Sequence, residues 1–198
     1  MKPIAGFDSV IANDGGGEQL PAGAYVCVIH GAAEVQSKNG NQMLRIMFDI
    51  AEGPFTGFYK RKYDAQSGGP YSSNRQWRGV FNQLIYASGG GANAYFKGLT
   101  TAIEESNLGY TWDWNENALK GKKIGFVFRD EEYMSQNGQL RVVAKPVWPR
   151  AVAKVREGIE PPPIRRYEPQ QTSYDGVGGY VPPPEYAPAD EEPLPWEK

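Results

Sequence analysis

Apolar and polar positions follow the two-residue period of β-strands over much of the chain. "LPAGAYVCVIHGAAEVQ" is a long β-compatible run ending in "SKNGNQ", where Asn39-Gly40 supplies the positive-φ turn that hairpins prefer. "MLRIMFDI" then alternates strictly. Leu44, Ile46, Phe48 and Ile50 fall on one face, and Met43, Arg45, Met47 and Asp49 on the other, which predicts a half-buried strand paired to the first. After "EGPF", the stretch "TGFYKRKYD" reads as a third strand. "RQWRGVFNQLIYAS" changes to the helical period, with Trp77, Val80, Phe81, Leu84 and Ser88 on one stripe. Beyond Gly89-Gly90-Gly91, "ANAYFKGLTTAIEES" repeats that period with Phe96, Leu99 and Ile103 aligned. "KKIGFVFRDEEY" turns Ile124, Phe126 and Phe128 inward, and a second Asn-Gly pair at 137–138 leads into "QLRVVAKPVW", a fifth strand that Pro146 should end.

The resulting order, three strands, a helical insert and two strands, predicts a mainly β protein built on a five-stranded OB-fold barrel. A split antiparallel sheet with helices on one face is the alternative. Residues 1–19 read as a flexible lead-in, 20–148 as the barrel domain, and 149–167 as an arm that is either a short helix or extended. From 168 to 198 the text is Pro, Gly, Tyr and acid, including Pro182-Pro183-Pro184, with too little apolar content to offset chain entropy, so a disordered Pro-rich tail is expected.

Charge divides at the same place. Residues 1–167 carry 20 Lys and Arg against 16 Asp and Glu, whereas 168–198 carry 1 against 7, so a basic body precedes an acidic tail. The one cysteine, Cys27, excludes an internal disulfide framework and a Cys-based zinc site. With His30 it makes no catalytic pair, because three residues apart on a strand they face opposite ways. Phosphate-binding glycine loops, dinucleotide fingerprints and metal-ligand spacings are absent, so neither an enzyme nor a cofactor nor a metal is expected. The sequence has no apolar leader and no spanning-length apolar run, which predicts a soluble intracellular protein without membrane contact.

The positive chemistry lies in "FYKRKY". Read as a strand, it interleaves Phe58, Tyr59 and Tyr63 with Lys60, Arg61 and Lys62, and places Tyr59, Arg61 and Tyr63 on a common face. Arg45 and Met47 can line the same surface. Lys38 in the first turn, Tyr133 before the second and Arg141 after it would border it. Cations for phosphates and exposed rings for unpaired bases suit single-stranded nucleic acid, with stacking contributing about 1–3 kcal/mol per base whatever the sequence. About five to seven phosphate contacts would give a log–log salt slope of roughly −3.5 to −5. An OB-fold adaptor that binds only proteins, through its Pro-rich tail, is the competing expectation. An open barrel edge is compatible with a homo-oligomer.

The hairpin "SKNGNQML" and the segment "GKKIGFVFRDEEY" resemble the small OB-fold proteins of phages and prophages, some of them single-stranded DNA-binding proteins, over about residues 18–168. The resemblance implies sequence-tolerant protection of single strands during phage DNA replication or recombination in the bacterial cytoplasm. The end of the chain is similar to the tails of bacterial single-strand-binding proteins, with Asp190, Glu191 and Glu192 preceding Leu194, Pro195 and Trp196. That implies a tip which recruits phage replication or recombination proteins. Glu197 and Lys198 depart from the pattern by moving the terminal carboxylate away from the aromatic ring.

Overall fold

The computed structural model describes residues 18–66, 75–135 and 137–168. The chain divides into a unit Met1–Tyr167 and a unit Glu168–Lys198, and the first is described below. The expected lead-in up to residue 17 and the tail residues Asp190, Glu191, Glu192, Leu194, Pro195 and Trp196 lie outside the described residues.

Five strands form one open antiparallel sheet: β1 (Gly23–Gln36), β2 (Gln42–Ile50), β3 (Val80–Leu84), β4 (Lys123–Met134) and β5 (Leu140–Arg150). Their order is β3-β2-β1-β4-β5, so β3 and β5 are its two edges. Helices α1 (Phe58–Ala65), α2 (Ala94–Ser106) and α3 (Val152–Glu157) complete the fold. No helix among the described residues is long and apolar enough to cross a membrane.

β1 organises the sheet. Its first half pairs with β4, from Gly23 opposite Phe128 to Val28 opposite Lys123, and its second half pairs with β2. The β1–β2 register slips between Ile29 and Gly31, leaving His30 as an extra residue. One inserted residue reverses which side chains face the core. Cys27 and Ile29 are buried before the bulge, whereas Ala32 takes up the core side after it. A uniform apolar run thus conceals a change of face.

Both hairpin turns use one device. In "SKNGN", Ser37 N–H donates to the Asn41 carbonyl, Gly40 N–H to the Ser37 carbonyl, and Asn41 N–H to Ser37 Oγ. In the second turn Ser135, Gly138 and Gln139 make the same three bonds. Gly40 and Gly138 sit at φ 80° and 71°, which L side chains resist.

The expected inward faces of β2 and β4 hold, while Asp49, expected on the open face of β2, is buried beneath α1. Leu44, Ile46, Phe48 and Ile50 are buried, and Ile124, Phe126 and Phe128 have no exposure. Phe48 meets Phe126 at 4.8 Å and Phe128 at 6.1 Å between ring centroids. The helix expected over 92–106 forms as α2, burying Phe96, Leu99 and Ile103, with Asn93 accepting from the N–H groups of Tyr95 and Phe96 as its N-cap. The open choice for the arm resolves as α3. It packs Val152 and Val155 against Val26 on the sheet's other side. Gly125 permits this approach, since a Cβ there would lie 2.3 Å from Val155 Cγ2.

Three expectations are overturned. "FYKRKYD" is not a third strand but α1. Adjacent Phe58 and Tyr59 are both buried, which a helix lying across the end of a core allows and an alternating strand does not. "RQWRGVFNQLIYAS" is not a helix: residues 75–79 run irregularly into β3, whose ladder sets Ile46 opposite Phe81 and Met47 opposite Val80. Gly79 is the reason, because it brings the backbone to Phe48, where an added Cβ would sit 2.2 Å from the carbonyl oxygen. Pro146 does not end β5, which continues to Arg150 with Pro146 opposite Phe128 at a second register shift. An edge strand tolerates a residue without an N–H.

Candidate functional site

The first consequence of α1 is that the expected alternating face of "FYKRKY" does not exist. Phe58 and Tyr59 retain 3% and 7% of their exposure and are core residues, not stacking platforms. Burial pushes the Tyr59 hydroxyl pKa upward. Lys60 pairs with Asp64 at 2.6 Å, one helical turn on. Arg61 donates to both carboxylate oxygens of Glu18 and to the Thr56 carbonyl. Lys62 lies over the Phe58 ring, 4.7 Å from its centroid. These cations surround a helix rather than line a strand.

α1 is held in place from β2. Its N-cap residue, Gly57, has no side chain with which to satisfy the first helical N–H groups. Asp49 does so from a distance: one carboxylate oxygen accepts from Tyr59 N–H at 2.9 Å, the other from Lys60 N–H at 3.0 Å. The first oxygen also accepts from Ile50 N–H at 2.8 Å. Asp49 is a 3%-exposed carboxylate placed at the positive end of a helix.

Tyr63 is the one residue of the predicted set on α1 whose ring joins a partly open surface. It packs against Trp77 at 5.7 Å between centroids, with the Arg75 guanidinium 4.8 Å from its own centroid. Trp77 in turn contacts His30, the bulged residue of β1, at 5.3 Å. The Trp77 indole N–H is fixed by the carbonyls of Phe48 and Gly79, both at 3.1 Å. The result is a run of rings, Tyr63, Trp77 and His30, carried by three segments and flanked by exposed Arg75 and Arg78. Tyr63 and Trp77 are half-buried, and His30 is exposed.

This run leads onto the non-core face of β1, β2 and β3. Next to His30, Gly31 is paired with Met47, whose methyl group would be 3.4 Å from an added Cβ. Met47 is opposite Val80 on β3. One step along, Ala33, Arg45 and Asn82 form a row in which Arg45 Nε donates to Asn82 Oδ1 at 2.9 Å. Arg45 and Met47 are both exposed, on the face expected of them. Lys38 is exposed in the turn beyond Gln36.

Tyr133 and Arg141 occupy a different place. They are opposite one another near the tip of the β4–β5 hairpin, which runs past the first residues of β1, whereas Lys38 lies past the last. The ladders therefore put the two turns at opposite ends of β1. The acids at this hairpin hold it together. Glu131 accepts from Arg129 and Lys145 at 3.0 and 2.8 Å. Burial raises its carboxyl, and these two partners outweigh that to leave it below the usual range. Glu132 accepts from Tyr167 N–H and Arg166, both of which lower its carboxyl pKa. Where β1 no longer covers β4, Arg165 bonds to Asp130 and Glu132 through its backbone, so the arm is laid along the strand.

Trp77, His30, Arg75, Arg78 and Asn82 join this surface without being among the residues expected there. "RQWR", a Trp flanked by arginines, was the available signal, but assignment to a helical stripe turned Trp77 inward. No family model matches the chain, and no curated protein matches it.

Proposed function

We propose that this chain is a sequence-tolerant single-stranded DNA-binding protein without catalytic activity, built on an open form of the OB barrel. The order β3-β2-β1-β4-β5, a long bulged β1 shared by two partners and a helix between β3 and β4 support the OB reading. The DNA path runs over the β1-β2-β3 face and along Tyr63, Trp77 and His30. The observation that carries the proposal is this ring run, contiguous with Met47 and bordered by Arg45, Arg75 and Arg78. Flat faces take unpaired bases and arginines take phosphates, with neither requiring a particular sequence. The resemblance to phage single-strand binders supports a role in phage DNA replication or recombination in the host cytoplasm. The acidic tail is assigned to partner recruitment on the same ground.

Fluorescence anisotropy with a labelled oligo-dT and a duplex control, at several salt concentrations, tests the binding reading. Lys38, Arg45, Arg75 and Arg78 offer about four phosphate contacts, for a log–log salt slope of about −3. His30→Ala should weaken single-strand binding by roughly tenfold, from the loss of one stacking contact of about 1–3 kcal/mol. Equal affinity for duplex, or no change on replacing both His30 and Arg45 with Ala, refutes the path.

A further inference from the structure

Among the described residues, no strand pairs with the outer edge of β5 from Leu140 to Lys145, and this edge is unusually apolar. Of the ten exposed large hydrophobic residues among those described, five belong to the β4–β5 hairpin: Tyr133, Met134, Leu140, Val142 and Val143. Edge strands are normally protected by proline, bulges or inward charges. Here proline begins only at Pro146, repeated at Pro149, and the only charges before it on β5 are Arg141 and Lys145. Between the turn at Gly138 and Pro146, residues 139–145 present an uninterrupted edge.

We propose that this edge pairs with the same edge of a second copy of the chain, antiparallel about a two-fold axis at Val142. The inference is independent of the nucleic-acid reading. A two-fold that continues a sheet keeps each side chain on its own face, so the axis must pass through a residue rather than between two. Three centres are available in the middle of the segment. An axis at Arg141 sets Arg141 against its own copy. An axis at Val143 sets Arg141 against Lys145 twice, and Leu140 against Pro146. An axis at Val142 opposes Val142 to itself, Leu140 to Ala144, Arg141 to Val143 and Gln139 to Lys145, with no cation facing a cation. Like charges directly opposite are destabilising in a sheet, so charge selects the third register. It is also the centre of 139–145, and it uses every residue up to the proline.

On one face this register joins Leu140, Val142 and Ala144 of both copies into a continuous apolar strip, extended by Met134 opposite Leu140 on β4. On the other face, Arg141 lies across Val143, whose β4 partner is Glu131. The sheet becomes ten-stranded, and the exposed hairpin becomes its centre.

Size-exclusion chromatography with light scattering should give a mass twice the 21.9 kDa of the chain. Val142→Lys, which places two ammonium groups face to face, should return it to a single chain with an unchanged circular dichroism spectrum. Val142→Cys supplies a second measurement that needs no disruption, because a short bis-maleimide should link the two copies efficiently. Ala144→Cys should link poorly, since four residues of offset separate the equivalent positions by roughly 14 Å. A monomer at about 100 µM, a dimer that persists in the folded Val142→Lys variant, or equal cross-linking at 144 and 142 overturns the proposal.

Discussion

Asp49→Ala offers a severe test of how α1 is held. The substitution removes a 3%-exposed carboxylate and three hydrogen bonds, from Ile50, Tyr59 and Lys60. The bonds from Ile50 and Tyr59 are buried, and no other acceptor is close at hand in a helix whose cap residue is glycine. Hydrogen bonds to a charged group contribute about 1.5–3 kcal/mol each, and a buried donor left unsatisfied costs about 1–3 kcal/mol. Since two of the three donors lose water as well as partner, a total of about 3–5 kcal/mol is expected, a large share of a typical domain's stability. With a urea m-value of about 2 kcal/mol per molar, the unfolding midpoint should fall by about 2 M. Asp49→Asn keeps one acceptor oxygen and should lose roughly half as much. Because α1 carries Tyr63, single-strand affinity should drop in both variants under conditions where they stay folded. A midpoint within about 0.3 M of wild type for Asp49→Ala would refute the claim that this carboxylate pins the helix.

Gly79→Ala should destabilise by about 1–3 kcal/mol, because its Cβ would lie 2.2 Å from the Phe48 oxygen and 2.8 Å from the Tyr59 ring. Gly91→Ala, with nothing within 4 Å, should be near neutral, and thermal melts of the two variants check the contrast. Glu52, bonded to Arg156 first and Lys123 second, has its carboxyl lowered from 4.5 to about 2. A depressed carboxyl stabilises above its unfolded value, so this contribution should fade as pH falls from about 4.5 to 2. Urea midpoints of wild type and Glu52→Gln should converge over that interval, and a difference that stays constant refutes it. Cys27 has no exposure, and burial, followed by the nearby Asp49, pushes its thiol pKa well up. It should resist a thiol-specific chromogenic reagent at pH 8 until urea unfolds the chain.

What could be read from the sequence followed from how local the signal was. The inward residues of β2 and β4 repeat every second position, which marks their core faces even though α1 and α3 cover part of the opposite faces at Asp49 and Gly125, and α2 carries its own cap in Asn93. The failures all involve distant partners. α1 owes its cap to Asp49, nine residues upstream of Phe58, so "FYKRKYD" gave only an alternation of rings and cations that a strand also fits. β3 is fixed by β2 and by the tight approach at Gly79, neither of which a helical stripe of Trp77, Val80, Phe81 and Leu84 records. The bulge at His30 reversed the faces of β1 inside an apolar run that looked uniform. Arg45 and Met47 lie on the expected face because β2 alternates regularly from Leu44 to Phe48. Phe58 and Tyr59 leave the expected face because their segment is a helix, and Trp77 and His30 reach it through the entry to β3 and the bulge, which no local pattern marks.

Photo-cross-linking of an oligonucleotide containing 5-iodouracil, followed by peptide mapping, tests the proposed DNA path most directly, since the halogenated base couples to the ring it stacks upon. Adducts at Tyr63, Trp77 or His30, suppressed by unlabelled single strands and not by duplex, are the predicted result. Adducts confined to Tyr133 on the β4–β5 hairpin, or no adduct at all, would contradict it.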